Sequence, residues 1–206
     1  MNKSMVGTCK RLRYVYEPLF FVEKIMETLP IDELNNLKAY LDLTFEKGEI
    51  TLSEVLDDVL DVLVLGWASG LEYASSVLGG TYLDYSDLQK ALDLKIEDKT
   101  YKDRVREHFE NLDVDGIIRV ADTESHRLYN EAVFESAKAS GKNVYKTWET
   151  MMDDRVRETH SYIEGVSVPI DERFYTSDGD SARYPGDFEL AQNNVNCRCY
   201  LTLQVN

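Results

Sequence analysis

Apolar residues recur every three or four positions from about residue 18 to about residue 139, which is the spacing of one helical face. Pro30, Gly48 and Gly79 mark the ends of the first three segments. Because these segments follow one another directly, we expect the helices to pack on each other. The predicted helices cover residues 19–29, 34–45, 53–78, 86–92, 101–111 and 114–139.

The helix predicted at residues 53–78 has more apolar positions than one amphipathic face needs. We therefore expect it to be a central element, with Leu60, Leu63 and Val64 shielded from solvent. Asp61 and Glu72 interrupt its apolar run, so it is too short and too charged to span a bilayer. No membrane contact is expected.

Beyond Gly141 the pattern changes to period two, in segments rich in β-branched and aromatic residues. The segments "NVYKTWET", "VSVPI" and "CYLTLQV" predict a short sheet. Residues 171–194 hold most of the turn-forming residues of this half, and we predict a flexible loop there. The predicted fold class is α+β: a mainly helical N-terminal region, residues 1–112, followed by a small α+β C-terminal domain, residues 113–206.

Composition narrows the classes of function. The 206 residues include 23 Lys and Arg and 38 Asp and Glu. The resulting net charge of -15 argues against binding of nucleic acid that is mainly electrostatic. A hydrophobic fraction of 43% excludes general disorder. Three cysteines and the lack of a secretory leader indicate folding in a reducing cytoplasm.

Candidate chemistry begins with the segment "DDRVRETH". On a helix, Asp153, Arg157 and His160 stand at positions i, i+4 and i+7 and share one face. Such a face can orient the histidine, or it can be a surface ion pair beside an incidental histidine. A similar spacing lets Glu124 pair with Arg127 on the preceding helix, which requires no function.

Cys197 and Cys199 stand two residues apart near the end of the chain. In an extended segment both sulfurs lie on one face. With His160 they offer three zinc ligands, and Asp153 or a water molecule offers a fourth. The alternative is a metal-free site in which the cysteines are packed as small apolar groups. The sequence does not decide between the zinc site and the metal-free site, so it predicts no definite cofactor.

Several C-terminal segments together carry a family pattern. In order, they present "T-E" and "N" on a helix, then Trp, Asp, a "V-R-x-x-H" run, Gly, and a closing "N-C-R-C". This order resembles the phage Mu F-like head morphogenesis domain, found in minor head proteins of tailed phages, over residues 116–203. The matching residues are Thr123, Glu124, Asn130, Trp148, Asp153, Val156, Arg157, His160, Gly165, Asn196, Cys197, Arg198 and Cys199.

The resemblance implies a minor capsid protein, not an enzyme, that acts with the portal protein and other head proteins in prohead assembly. It also implies a place inside the virion head near the portal, assembly in the host cytoplasm, and contact with packaged DNA during packaging or ejection. The chain departs from the family in two places: Asp122 stands where the family often has an arginine, and a proline-rich stretch is reduced to Pro185-Gly186.

The resemblance further implies one clustered site formed by Trp148, Asp153, Arg157, His160, Gly165, Asn196 and Arg198, with the two cysteines beside it. The competing function is a phage-delivered enzyme such as a nuclease. That enzyme would use His160 as acid or base and Arg157 to clamp phosphate. The net charge of -15 counts against it.

Overall fold

The computed structural model describes residues 31–206, and the helix predicted before Pro30 lies outside this part. Every helix predicted between Pro30 and Gly141 is present. Their bounds are α1 Ile31–Lys47, α2 Leu52–Leu78, α3 Tyr85–Leu92, α4 Tyr101–Glu110 and α5 Val114–Ala139.

Capping residues explain where two of these helices begin. The Thr51 side chain accepts a hydrogen bond from the amide of Glu54, and the Glu54 carboxylate accepts one from the Thr51 amide in return. Thr100 and Asp103 repeat this exchange at the start of α4. Each pair satisfies backbone donors that the first helical turn leaves free, so the chain enters the helix at a defined residue.

Helices α2 and α5 form the central pair of the fold. Leu63 of α2 is fully buried and Leu60 is half-buried, as predicted. The prediction for Val64 is wrong, because its side chain is 37% exposed beside the exposed Leu65. Helix α2 packs against α1, α4 and α5 on one side, and Val64 lies on the side that faces solvent.

The predicted sheet is present and antiparallel, which confirms the α+β class. Strand β1 (Val144–Glu149) lies between β2 (Ser167–Pro169) and β5 (Tyr200–Val205). A short helix, α6 (Glu158–Ser161), connects β1 to β2. The sheet is tied to the end of α2, because the Leu203 amide donates to the Tyr73 hydroxyl at 2.9 Å.

Residues 171–194 are folded, so the prediction of a flexible loop is wrong. They form the paired strands β3 (Phe174–Tyr175) and β4 (Ser181–Ala182) and a helical turn, α7 (Ala191–Asn194). The polar residues that suggested a loop bond to each other. The Asp180 carboxylate accepts from the Leu190 amide at 3.2 Å and from the Asn193 side chain at 2.9 Å.

Within residues 31–206 the buried apolar side chains form two clusters, and α5 contributes to both. One lies among α1 to α5, and the other lies between α5, the end of α2, the sheet and residues 171–194. The division of the chain at residue 112 stays a prediction. None of the helices in residues 31–206 combines the length and the apolar character needed to cross a membrane.

Candidate functional site

His160 is buried among aromatic side chains. Helix α6 carries its ring into the second apolar cluster, where it stacks on Phe188 with ring centres 5.2 Å apart and planes inclined by 20°. Trp148 of β1 meets the same ring edge-on at 5.6 Å. The two aromatic rings fix the orientation of the imidazole, which is only 1% exposed.

Both cysteines of the N-C-R-C segment face this imidazole. Its Nδ1 lies 3.6 Å from Sγ of Cys197 and 3.4 Å from Sγ of Cys199. The two thiols are buried, and they lie on the same side of a segment that ends just before β5. A hydrogen bond from Cys199 and the neighbouring imidazole lower the pKa of the Cys197 thiol, whereas the contact with Cys197 raises the pKa of Cys199.

Two polar side chains on α5 hold the backbone of this segment. Asn130 accepts a hydrogen bond from the Leu201 amide at 2.9 Å and donates one to the Cys199 carbonyl at 3.1 Å. The Thr123 hydroxyl accepts one from the Asn196 amide at 3.1 Å. Thr123 and Asn130 of the family pattern therefore position the cysteines through hydrogen bonds to the backbone of this segment.

Gly165 places α6 against β1. Its backbone has φ of +69°, a conformation that favours glycine, and its amide donates to the Trp148 carbonyl at 2.8 Å. The turn returns the chain from His160 to the sheet beside Trp148. Gly165 is thus a backbone position of the site and contributes no chemistry.

The prediction that Asp153, Arg157 and His160 share one helix face is wrong. Residues 151–157 form turns, and α6 begins only at Glu158. The Asp153 carboxylate pairs with Arg198, whose Nη2 lies 2.6 and 2.7 Å from its two oxygens. This hydrogen bond lowers the pKa of Asp153. Arg157 donates to the Val195 carbonyl instead.

A buried set of charged residues beside this site was not predicted as such. Glu124 and Arg127 pair at 2.9 Å, as their spacing suggests, but each is only 2% exposed. Arg104 reaches Glu124 from α4 at 2.8 Å, and Arg127 also pairs with Glu131. Burial alone would raise the pKa of Glu124, but Arg127 and Arg104 hold it below its ordinary value. The local sequence gives no signal for Arg104, which is 20 residues away.

Two hollows adjoin the cluster. A cavity of about 10 Å³ touches His160 and Cys199 and is otherwise bounded by the arginines at 155, 157 and 198 with Val156 and Asn196. A groove of about 530 Å³ opens nearby, between the start of α1, α5 and the arginines at 155 and 198. The cavity has room for one water molecule.

Comparisons with known proteins assign the chain to a family. Residues 86–202, more than half of the chain, match the family described as Phage Mu protein F like protein. All of the family residues described above fall inside that range. The chain therefore belongs to the Phage Mu protein F like family.

Two relatives align with part of the chain. An 83-residue stretch is 34% identical to minor head protein GP7 of Bacillus phage SPP1 and covers 39% of this chain and 27% of that protein. An 85-residue stretch is 39% identical to NAD(+)--arginine ADP-ribosyltransferase EFV of Enterococcus faecalis and covers 40% of this chain and 17% of that protein. The chain thus aligns with about a quarter of one relative's length and a sixth of the other's. No solved structure matches it.

Proposed function

We propose that this chain is a minor head protein that acts with the portal protein in prohead assembly and resides near the portal in the virion. The observation that carries the proposal is the match of residues 86–202 to the Mu F-like family. The relative from phage SPP1, whose name is minor head protein, supports the same role.

The geometry of the family residues favours a scaffold over a catalytic centre. A general acid or base must lie within hydrogen-bonding reach of its substrate. His160 is 1% exposed, and its Nδ1 faces two thiols. Arg157, the phosphate clamp of the nuclease alternative, is engaged by the Val195 carbonyl. These contacts do not favour the nuclease alternative.

The net charge of the chain favours binding to proteins over direct binding to nucleic acid. The net charge of -15 opposes a phosphate backbone, and in the site Arg198 is already neutralised by Asp153. Transient contact with packaged DNA therefore needs a partner to supply cations. We propose that the portal and other head proteins are the direct partners. The enzymatic activity named for the Enterococcus relative is not proposed, since this chain aligns with 17% of it.

The test is co-expression of the full chain with the cognate portal protein, followed by affinity capture of either partner and measurement of their ratio. A stable complex with the portal, together with detection of the chain in purified proheads, is expected. Capture in the same way with the major capsid protein alone is the control. If the chain is absent from proheads and binds no portal, or if it degrades DNA or RNA in a manner lost in His160→Ala, the proposal fails.

A further inference from the structure

The donor atoms of His160, Cys197 and Cys199 surround one small volume. Nδ1 lies 3.6 and 3.4 Å from the two sulfurs, and all three atoms lie within 4.8 Å of one another. Zinc bonds of about 2.3 Å to sulfur and about 2.0 Å to nitrogen, at tetrahedral angles, place nitrogen and sulfur about 3.5 Å apart. We propose that these three residues bind a zinc ion.

The chemistry of the donor set suits a buried site. Two thiolates and a neutral imidazole cancel the charge of Zn²⁺, so the bound site carries no net charge and its burial is not opposed by a lone ion. The ligand residues are between 1% and 5% exposed. Stacking on Phe188 and edge contact with Trp148 hold the imidazole where Nδ1 meets the sulfurs.

The fourth coordination position is assigned to a water molecule. Asp153, the other ligand that the sequence offers, has both carboxylate oxygens engaged by Arg198. The cavity of about 10 Å³ lies against His160 and Cys199, and this volume suffices for one water. The site is therefore a three-residue zinc centre with one small position left for solvent.

The metal-free alternative accounts less well for the sulfur positions. Cysteines packed only as small apolar groups have no reason to converge on a nitrogen atom. Here both sulfurs face the same Nδ1, and Cys197 would retain this contact only as a weak hydrogen bond. Zinc would connect α6 to the segment before β5. Residues 171–194 lie between these two points in the sequence, so the metal would close a loop that contains them.

The experiment measures metal in the full chain purified without added zinc or chelator. We expect about one zinc ion per chain. The zinc content of the variants Cys197→Ser and Cys199→Ser should be lower by about tenfold or more. Cys9→Ser removes the remaining cysteine and is the matched control, which should keep its zinc. Circular dichroism of each variant checks that it is folded.

Cobalt substitution keeps the test decisive if the serine variants do not fold. Unaltered protein loaded with Co²⁺ should show a thiolate-to-cobalt charge-transfer band and the visible bands of a tetrahedral site, and zinc should displace them. Metal-free protein in which the Cys197 and Cys199 thiols both react and no cobalt spectrum appears would overturn the proposal, as would a Cys197–Cys199 disulfide found by mass spectrometry. Portal binding is measured separately, so this inference can fail without affecting the proposed function.

Discussion

The contact between α2 and α5 depends on two glycines that allow the helix backbones to approach closely. A Cβ atom added at Gly70 would lie 2.3 Å from the Tyr129 carbonyl oxygen and 2.9 Å from Cβ of Ala132. At Gly66 it would lie 2.4 Å from the Ser125 carbonyl oxygen. An ordinary contact is at least 3.4 Å, so Gly70→Ala requires the helices to separate locally by about 1 Å.

The expected cost follows from two opposed effects. Overpacking a well-packed core costs about 1 to 3 kcal/mol, and the upper end applies because a backbone carbonyl cannot rotate away. Alanine in a helix interior is favoured over glycine by up to about 1 kcal/mol. Gly70→Ala should therefore lower the free energy of unfolding by about 2 kcal/mol, although alanine is the better helix former.

Urea unfolding followed by circular dichroism measures this change. Ala68→Gly is the matched control, because Ala68 lies on the exposed side of the same helix and reports backbone preference without the close contact. It should cost about 1 kcal/mol. A Gly70→Ala protein as stable as the wild type, or more stable, would show that the two helices do not pack at this distance.

Two further predictions concern buried charges. Burial lowers the pKa of Lys146 from 10.5 to about 7, so the unfolded chain binds more protons between these values and stability rises with pH. From pH 7 to pH 9 the free energy of unfolding should rise by about 2 kcal/mol more in the wild type than in Lys146→Met, and equal rises would contradict this. Arg127→Met should lower the unfolding free energy by about 3 to 5 kcal/mol, because Glu124 loses a buried partner. The exposed Arg155→Met should cost less than about 1 kcal/mol, and similar losses in both variants would refute the role of burial.

The helices and the sheet were predictable because their signals are local. Apolar periodicity places α2 and α5, and Gly79 and Gly141 mark where they end. The sequence predicted less well which side of a helix is buried. Val64 is as apolar as Leu63, and only the positions of α1, α4 and α5 decide that it faces solvent.

The same distinction explains the successes and failures at the site. Period-two spacing was enough to place the sulfurs of Cys197 and Cys199 on one side. The partner of Asp153 was not available from spacing, because Arg157 stands four residues away whereas Arg198, the residue that pairs with it, stands 45 residues away. Turns at residues 151–157 remove the helix on which the local pairing depended.

Helix α5 links the site to the helical first part of the chain. The Tyr129 carbonyl lies close to the backbone of Gly70 on α2. The next residue, Asn130, forms hydrogen bonds with the backbone at Cys199 and Leu201. Neighbouring residues of one buried helix thus support the α2 contact and the sulfur-bearing segment. Because both supports lie on the same turn, a shift of α5 away from α2 must also move the backbone that carries Cys199. Thr123 and Asn130 of α5 therefore fix this backbone, while the side chains that can bind a metal come from α6 and the segment before β5.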